Sequence, residues 1–222
     1  MIRVRMTYSK RGRACFIPHI AIPPLLTRSA ARAAVKFELT EGFSPRPKIS
    51  LGPELSVGVP ALAEPFEAWL SFWDENLPLR WSSRLPEGFT LTGAAVIDAP
   101  PGSEEAKPMG RRNLAASHLL ALRASGEGAL QAALERLCAG GRIHSFSKAR
   151  GFQERFFRVI AVDPAQNGPG TLVRALAEDG VIRGWHEIFI LREAVGLLKP
   201  PGNAEGAGVE HLVPQWPEGG RP

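Results

Sequence analysis

Asp98-Ala99-Pro100-Pro101-Gly102-Ser103-Glu104-Glu105-Ala106-Lys107-Pro108-Met109-Gly110-Arg111-Arg112-Asn113 divides the 222-residue chain almost in half, and its reading decides the fold. Prolines and glycines punctuate it, charges fill much of the remainder, and no apolar residue recurs at helical or strand spacing. Such a stretch reads as a linker between two domains. Before it, residues 2–8 alternate apolar and polar side chains as a strand does. A helix is predicted from Pro23 or Pro24, because proline is tolerated in a first turn whose N–H groups lack partners anyway. Leu26, Ala30, Ala33 and Phe37 recur at helical spacing and should face a core. Arg28, Arg32 and Lys36 are spaced by four and should form a basic ridge on another face. The prolines of Glu41–Lys48 exclude a helix there, since each lacks a donor and pushes its predecessor towards extended geometry. A strand at 49–51, a strand around 66–73, a helical piece near 79–85 and a strand at 89–97 complete this half.

After the linker, 119–124 reads as a strand and 129–138 as an amphipathic helix stopped by Gly140-Gly141. Residues 142–147 alternate, 156–162 and 171–177 are strand-like, 187–198 looks helical, and 209–213 forms a last short strand. Both halves approximate strand–helix–strand–strand–helix–strand, the split βαβ order. The predicted fold is therefore α+β, with tandem ferredoxin-like domains on antiparallel sheets. The boundaries fall at 1–98 for the first domain, 99–115 for the linker, 116–213 for the second domain and 214–222 for an irregular tail.

Hydrophobic residues make up 44% and charged residues 22%, a globular balance that excludes a disordered chain. No apolar run approaches the roughly 18–20 residues needed to cross a bilayer. The N-terminus has no apolar signal-peptide core. The expectation is a cytoplasmic protein without membrane attachment. Cys15 and Cys138 lie far apart without CxxC or Cys/His ligand spacing, which points to reduced, buried thiols, no structural metal and no cofactor. The five tryptophans, Trp69, Trp73, Trp81, Trp185 and Trp216, read as core or edge fillers, with Trp185-His186 the one pair placed to line a pocket.

The net charge of +5 is modest, but its distribution is uneven. Residues 1–48 carry ten Lys or Arg against Glu38 and Glu41, a local charge of +8. Residues 142–158 carry five against Glu154, or +4, which leaves −7 for the rest. Two basic zones on an otherwise acidic chain suit a polyanion. Three stretches carry the candidate chemistry. In Ser9–His19, the cations Lys10, Arg11 and Arg13 precede His19, whose unperturbed pKa near neutrality fits general acid–base work on RNA. In Glu41–Ser50, Arg46 and Lys48 flank Pro47 on a segment stiffened by Pro45 and Pro47, with Phe43 as a stacking or partner contact. In Ser145–Arg158, Lys148, Arg150 and Arg155 interleave with Phe152 and other aromatics, a pattern that suits single-stranded RNA. Arg150-Gly151-Phe152 and Phe157 agree with the RNA-recognition-motif signature at four of its eight positions. No phosphate-binding glycine loop, nucleophile elbow or HExxH motif is present in the sequence.

Phe16-Ile17-Pro18-His19-Ile20, the helix through Arg32, Glu41-Gly42-Phe43-Ser44-Pro45-Arg46-Pro47-Lys48-Ile49-Ser50 and Leu55-Ser56-Val57-Gly58-Val59 together resemble a known group. It is the radical-SAM-linked protein family, an uncharacterised domain fused to or encoded beside radical SAM proteins. The likeness covers residues 1 to about 70 and extends more faintly into the second half. It implies a radical SAM partner and a role in tRNA or ribosomal RNA maturation. Members of that family usually write Ser-His-Leu-Asp where this chain has Pro18-His19-Ile20-Ala21, so the acid that would orient His19 is missing. Arg46 stands where a histidine is usual. The reading that results is an accessory module binding RNA (tRNA or rRNA), a radical SAM partner enzyme, or both, with the RNA held on one basic surface. That surface would comprise Lys10, Arg11, Arg13, Arg28, Arg32, Lys36, Arg46, Lys48, Lys148, Arg150 and Arg155. The alternatives are a metal-independent RNA endonuclease or modifying enzyme using His19, and a pure protein-interaction scaffold.

Overall fold

A computed structural model of the chain describes residues 1–100, 102–149, 155–201 and 207–217. The fold is mixed α+β, with four α-helices and mostly antiparallel strands among the described residues. It separates into two units: Met1–Pro53, Leu62–Arg112 and His211–Pro222 form the first, and Glu54–Ala61 with Asn113–Glu210 the second.

The first unit runs β1 (Ile2–Lys10), α1 (Ile22–Arg32), β2 (Ile49–Leu51), β3 (Ala61–Leu70), α2 (Leu77–Ser82) and β4 (Phe89–Val96). Its strands are ordered β4–β1–β3–β2. β1 pairs antiparallel with β4, and β2 antiparallel with β3. Tyr8 meets Phe66, Arg5 meets Glu67 and Arg3 lies over Trp69, so β3 runs antiparallel to β1 as well. Strand alternation sorts β1 into two faces. Val4, Met6 and Tyr8 join Phe66, Ala68 and Leu70 in a core closed by Ile22, Leu26 and Ala30 of α1 and Leu77 and Trp81 of α2. Trp81 is fully buried, and its indole N–H donates to Leu26 O and Ser29 Oγ (3.2 and 3.0 Å), so no polar atom of the ring is stranded. Arg3, Arg5 and Thr7 take the other face. The C-terminal segment reaches this sheet too: Gln215 bridges to Gly93, where a Cβ would stand 2.4 Å from Pro214 O, so only glycine permits the approach.

The periodicity that predicts α1 through Phe37 runs past its true end. Ala33 N–H donates to Ser29 O and Val35 N–H to Ala30 O, with Ala34 at φ 57°. This is a Schellman stop, closed here by burying Val35. Phe37 still reaches the core, from extended backbone bridged to Leu70 and edge-on to Trp81 at 5.6 Å. The basic ridge therefore keeps Arg28 and Arg32 on the helix, while Lys36 lies beyond it.

The second unit runs β5 (Ala115–Leu122), α3 (Glu127–Ala139), β6 (Ser145–Lys148), β7 (Phe157–Val162), α4 (Pro169–Glu178) and β8 (Ile188–Lys199), and β9 (Gly208–His211) pairs with β8. The strand order is β8–β5–β7–β6. Leu130, Ala133, Leu134 and Leu137 of α3 and Leu172, Val173 and Leu176 of α4 cover Leu120, Phe157, Val159, Ile188 and Ile190. Leu55 and Val59 join that core, and Ala61 pairs in parallel with Arg192.

Two assignments in this half are reversed by the structure. Residues 171–177 are helical, not a strand: Pro169 supplies a helix start, and Leu172, Val173 and Leu176 fall on one helical face. Residues 188–199 are a strand, not a helix. Glu, Leu, Arg and Ala favour helices, but burial alternates from Ile188 to Ala194 and the segment pairs along the length of β5.

Candidate nucleic-acid interface

The Glu41–Ser50 stretch is positioned by a short hairpin at one end of the first unit. Leu39 bridges to Pro47, Thr40 N–H donates to Arg46 O (2.8 Å), and Arg46 N–H donates back to Thr40 Oγ1 (3.1 Å). Lys48 N–H donates to Glu38 O, and Trp69 N–H to Lys48 O. The base is thus stitched to β3, and residues 41–45 project as a tip, turned at Gly42 with φ 117°. Pro45 and Pro47 lack donors, and neither position needs one here. Phe43 stands at that tip with 110% relative exposure. Its phenyl ring is fully solvated, the most exposed of the large apolar side chains described, ahead of Ile20 and Met1.

Cations gather at the same end. Arg46 is exposed, and the Lys48 ammonium lies 5.0 Å from the Trp69 ring centroid, a ring that Arg3 also faces at 5.4 Å. Lys36 is exposed, and its carbonyl accepts from Ser71 N–H at the end of β3. Arg32, in the last turn of α1, donates to Arg84 O (3.0 Å). Glu38 and Glu41 partly offset this charge. Arg28 is exposed further back on α1.

The other first-unit constellation lies elsewhere. Lys10 ends β1, and Arg3, beside Trp69 and Lys48, begins it. Seven residues of strand at ~3.3 Å each put about 23 Å between them. Arg11, Arg13 and His19 follow Lys10, so they occupy the opposite end of the sheet from the hairpin. Lys10 itself is buried (2%), with its ammonium donating to Ile17 O (2.7 Å), which removes it from any exposed surface. Arg11 and Arg13 are exposed, and His19 is half-buried in a 3-10 turn, His19–Ala21, just before α1. Phe16 and Ile20 are exposed beside it. Burial pushes the Cys15 thiol up, with Lys10 pulling the other way, which disfavours a thiolate nucleophile here.

In the second unit, Lys148 lies 4.5 Å from the Phe157 ring centroid and Arg155 faces Phe156 at 5.4 Å. Phe157 is a core residue against Phe146, so its ring is not open to a base. Arg150 and Phe152 lie outside the described residues. Among the described residues no three His, Cys, Asp or Glu side chains are gathered where they would hold a metal, and no helix is long and apolar enough to cross a membrane.

Sequence reasoning missed the role of Trp69 as the ring shared by Lys48 and Arg3; only strand pairing joins residues that distant. It also passed over two buried groups, Arg112 and His118. Arg112 falls inside the stretch read as a linker, and nothing local marks either one.

A family model described as "Uncharacterized protein conserved in bacteria (DUF2344)" matches residues 3–154. No curated protein matches the chain. The crystal structure of an unknown protein from Galdieria sulphuraria is similar over 85% of this chain and 95% of that one, at 11% identity and a TM-score of 0.28.

Proposed function

The chain belongs to that bacterial family, and from this premise we propose that it is a non-catalytic binding module, presenting RNA to a radical SAM partner in the cytoplasm. The observation that carries the reading is the braced hairpin with Phe43 fully solvated, Arg46 and Lys48 on it, Lys36 just before it, and Arg32 in the last turn of the preceding helix. An aromatic ring amid cations suits an unpaired nucleotide, with the base on the ring and phosphates on guanidinium and ammonium groups. The finer fold assignment belongs to the same reading. In each unit a strand–helix–strand–strand–helix–strand run with sheet order fourth–first–third–second supports tandem ferredoxin-like domains. The radical SAM partner rests on the resemblance of the Glu41–Ser50 motif.

Filter binding of the full chain to total tRNA at low and moderate salt tests this. Four phosphate contacts give a slope of about −3 in log affinity against log salt, at ~0.7 per contact for single strands. Phe43→Ala weakens retention about tenfold or more, as loss of one stacked base does, with an unchanged melting temperature. Negligible retention at both salts overturns the RNA reading. Full retention by Phe43→Ala, with loss of a co-purifying polypeptide from nuclease-treated lysate, reassigns the hairpin to protein docking.

A further inference from the structure

On the polar face of the first unit's sheet, Arg3, Arg5 and Arg112 bring more positive charge together than Glu67, the buried carboxylate they surround, can match. Arg3 Nη2 donates to both oxygens of Glu67 (2.9 and 2.8 Å), and Arg5 donates Nε and Nη2 to Glu67 Oε1 (3.0 and 2.7 Å). Glu67 is fully buried. Their further donations go to carbonyls of one turn-rich strap: Arg5 Nη2 to Glu105 O (3.1 Å), Arg3 Nη1 to Ala106 O (2.7 Å) and Arg3 Nη2 to Lys107 O (2.9 Å). A third guanidinium, Arg112, is nine-tenths buried, and among the described residues its Nε and Nη1 have no hydrogen-bond partner; neither has Arg3 Nε. Burial chiefly, and then repulsion by Arg5, hold Arg112 below the usual arginine range, against Glu67 and Glu105. Arginine nevertheless stays protonated at any physiological pH. Buried, charged donors left open are costly unless something binds them.

We propose that Arg3, Arg5 and Arg112 form a site for a phosphate dianion, free or as the monoester end of a larger ligand, reached when the 103–107 strap lifts. Three guanidiniums less Glu67 leave two positive charges, which a monoester or free phosphate matches and a nucleic-acid phosphodiester does not. Guanidinium forks fit phosphate oxygens in pairs, so the open Nε and Nη1 of Arg112 and the donors now on strap carbonyls have acceptors waiting. The strap suits removal: Gly102, Glu104 and Glu105 are exposed, Met109 anchors its far end in the interior, and Glu105 carries its own charge away as the strap lifts. The site does not rest on the RNA reading: Phe43, Arg46 and Lys36 take no part in it, and Arg112 and Arg5 take no part in the hairpin, although Arg3 and Lys48 share the Trp69 ring.

Isothermal titration of the full chain with inorganic phosphate, above its second ionisation and at matched ionic strength, tests the site without RNA. Saturable one-to-one binding is expected, with sulfate comparable and dimethyl phosphate about tenfold weaker, as loss of a charged hydrogen bond implies. Arg112→Gln should weaken phosphate by about tenfold or more. Should that variant not fold, hydrogen exchange on the unaltered protein decides, because phosphate must raise exchange of amides within 103–107. No saturable heat beyond a sodium chloride control overturns the proposal. So does equal affinity for phosphate and dimethyl phosphate, unchanged affinity in a folded Arg112→Gln protein, or a strap whose exchange phosphate leaves untouched.

Discussion

Arg112 in the first unit and His118 in the second are both buried, and both carry side-chain nitrogens with no partner among the described residues, yet they meet that problem in opposite ways. His118 lies opposite Val159 on β7 and Arg192 on β8. Burial, then the Arg192 charge, lowers its pKa from 6.5 to about 3, so the imidazole sheds its proton and becomes a neutral, if imperfectly satisfied, packing group. A guanidinium has no such exit. The same contrast holds on the polar faces. Arg158 and Ser117 both donate to Glu193, one cation to one carboxylate, whereas Arg3 and Arg5 share Glu67 with Arg112 still to be matched. A charge-balanced cluster needs nothing further; an unbalanced buried one points to a ligand.

The largest expected effect tests that imbalance. Glu67→Gln removes the buried counter-charge of two arginines, and chemical denaturation should show a loss of about 3–5 kcal/mol. A loss below about 1 kcal/mol, the scale of an exposed ion pair, would mean that water already solvates the cluster, and the comparison would collapse. Next in size is the acid limb of His118. Its folded pKa is depressed, so the unfolded chain binds the extra proton; stability is full above pH 6.5 and falls as pH drops towards 3. The slope from this group approaches 1.4 kcal/mol per pH unit inside that window. Denaturation midpoints measured across it should fall less steeply in His118→Leu, and parallel curves would show that His118 takes up a proton in the fold. The smallest effect is Glu193→Gln, about 1 kcal/mol, because Arg158 is roughly one-third exposed and can hydrate when its partner goes. A cost equal to that of Glu67→Gln would place the two faces in one class.

Several of these features can be read along the chain. β1 shows its strand alternation, α3 its apolar stripe, and Glu41–Lys48 its prolines, because each is set by residues within a few positions of one another. The exchange of α4 and β8 could not be read. Leu172, Val173 and Leu176 suit a strand as well as a helix, and the helix formers of 188–199 become a strand only by pairing with β5. Arg46, Lys48 and Phe43 are visible as a motif, but not that Arg11, Arg13 and His19 lie beyond the far end of a strand that runs about 23 Å from Arg3 to Lys10.

The sequence by itself determined the α+β character, the strand at 2–8, the rigidity of the proline segment and the concentration of cations in its first 48 residues, since local sterics and composition suffice for those. Only the tertiary structure decided that Lys10 is buried, that Lys48 and Arg3 share Trp69, and that Arg112 is left with open donors beside Glu67. The physical reason is that burial and electrostatic balance depend on neighbours far apart in the chain. A guanidinium is solvated or stranded according to what folds over it, and its own segment does not record which.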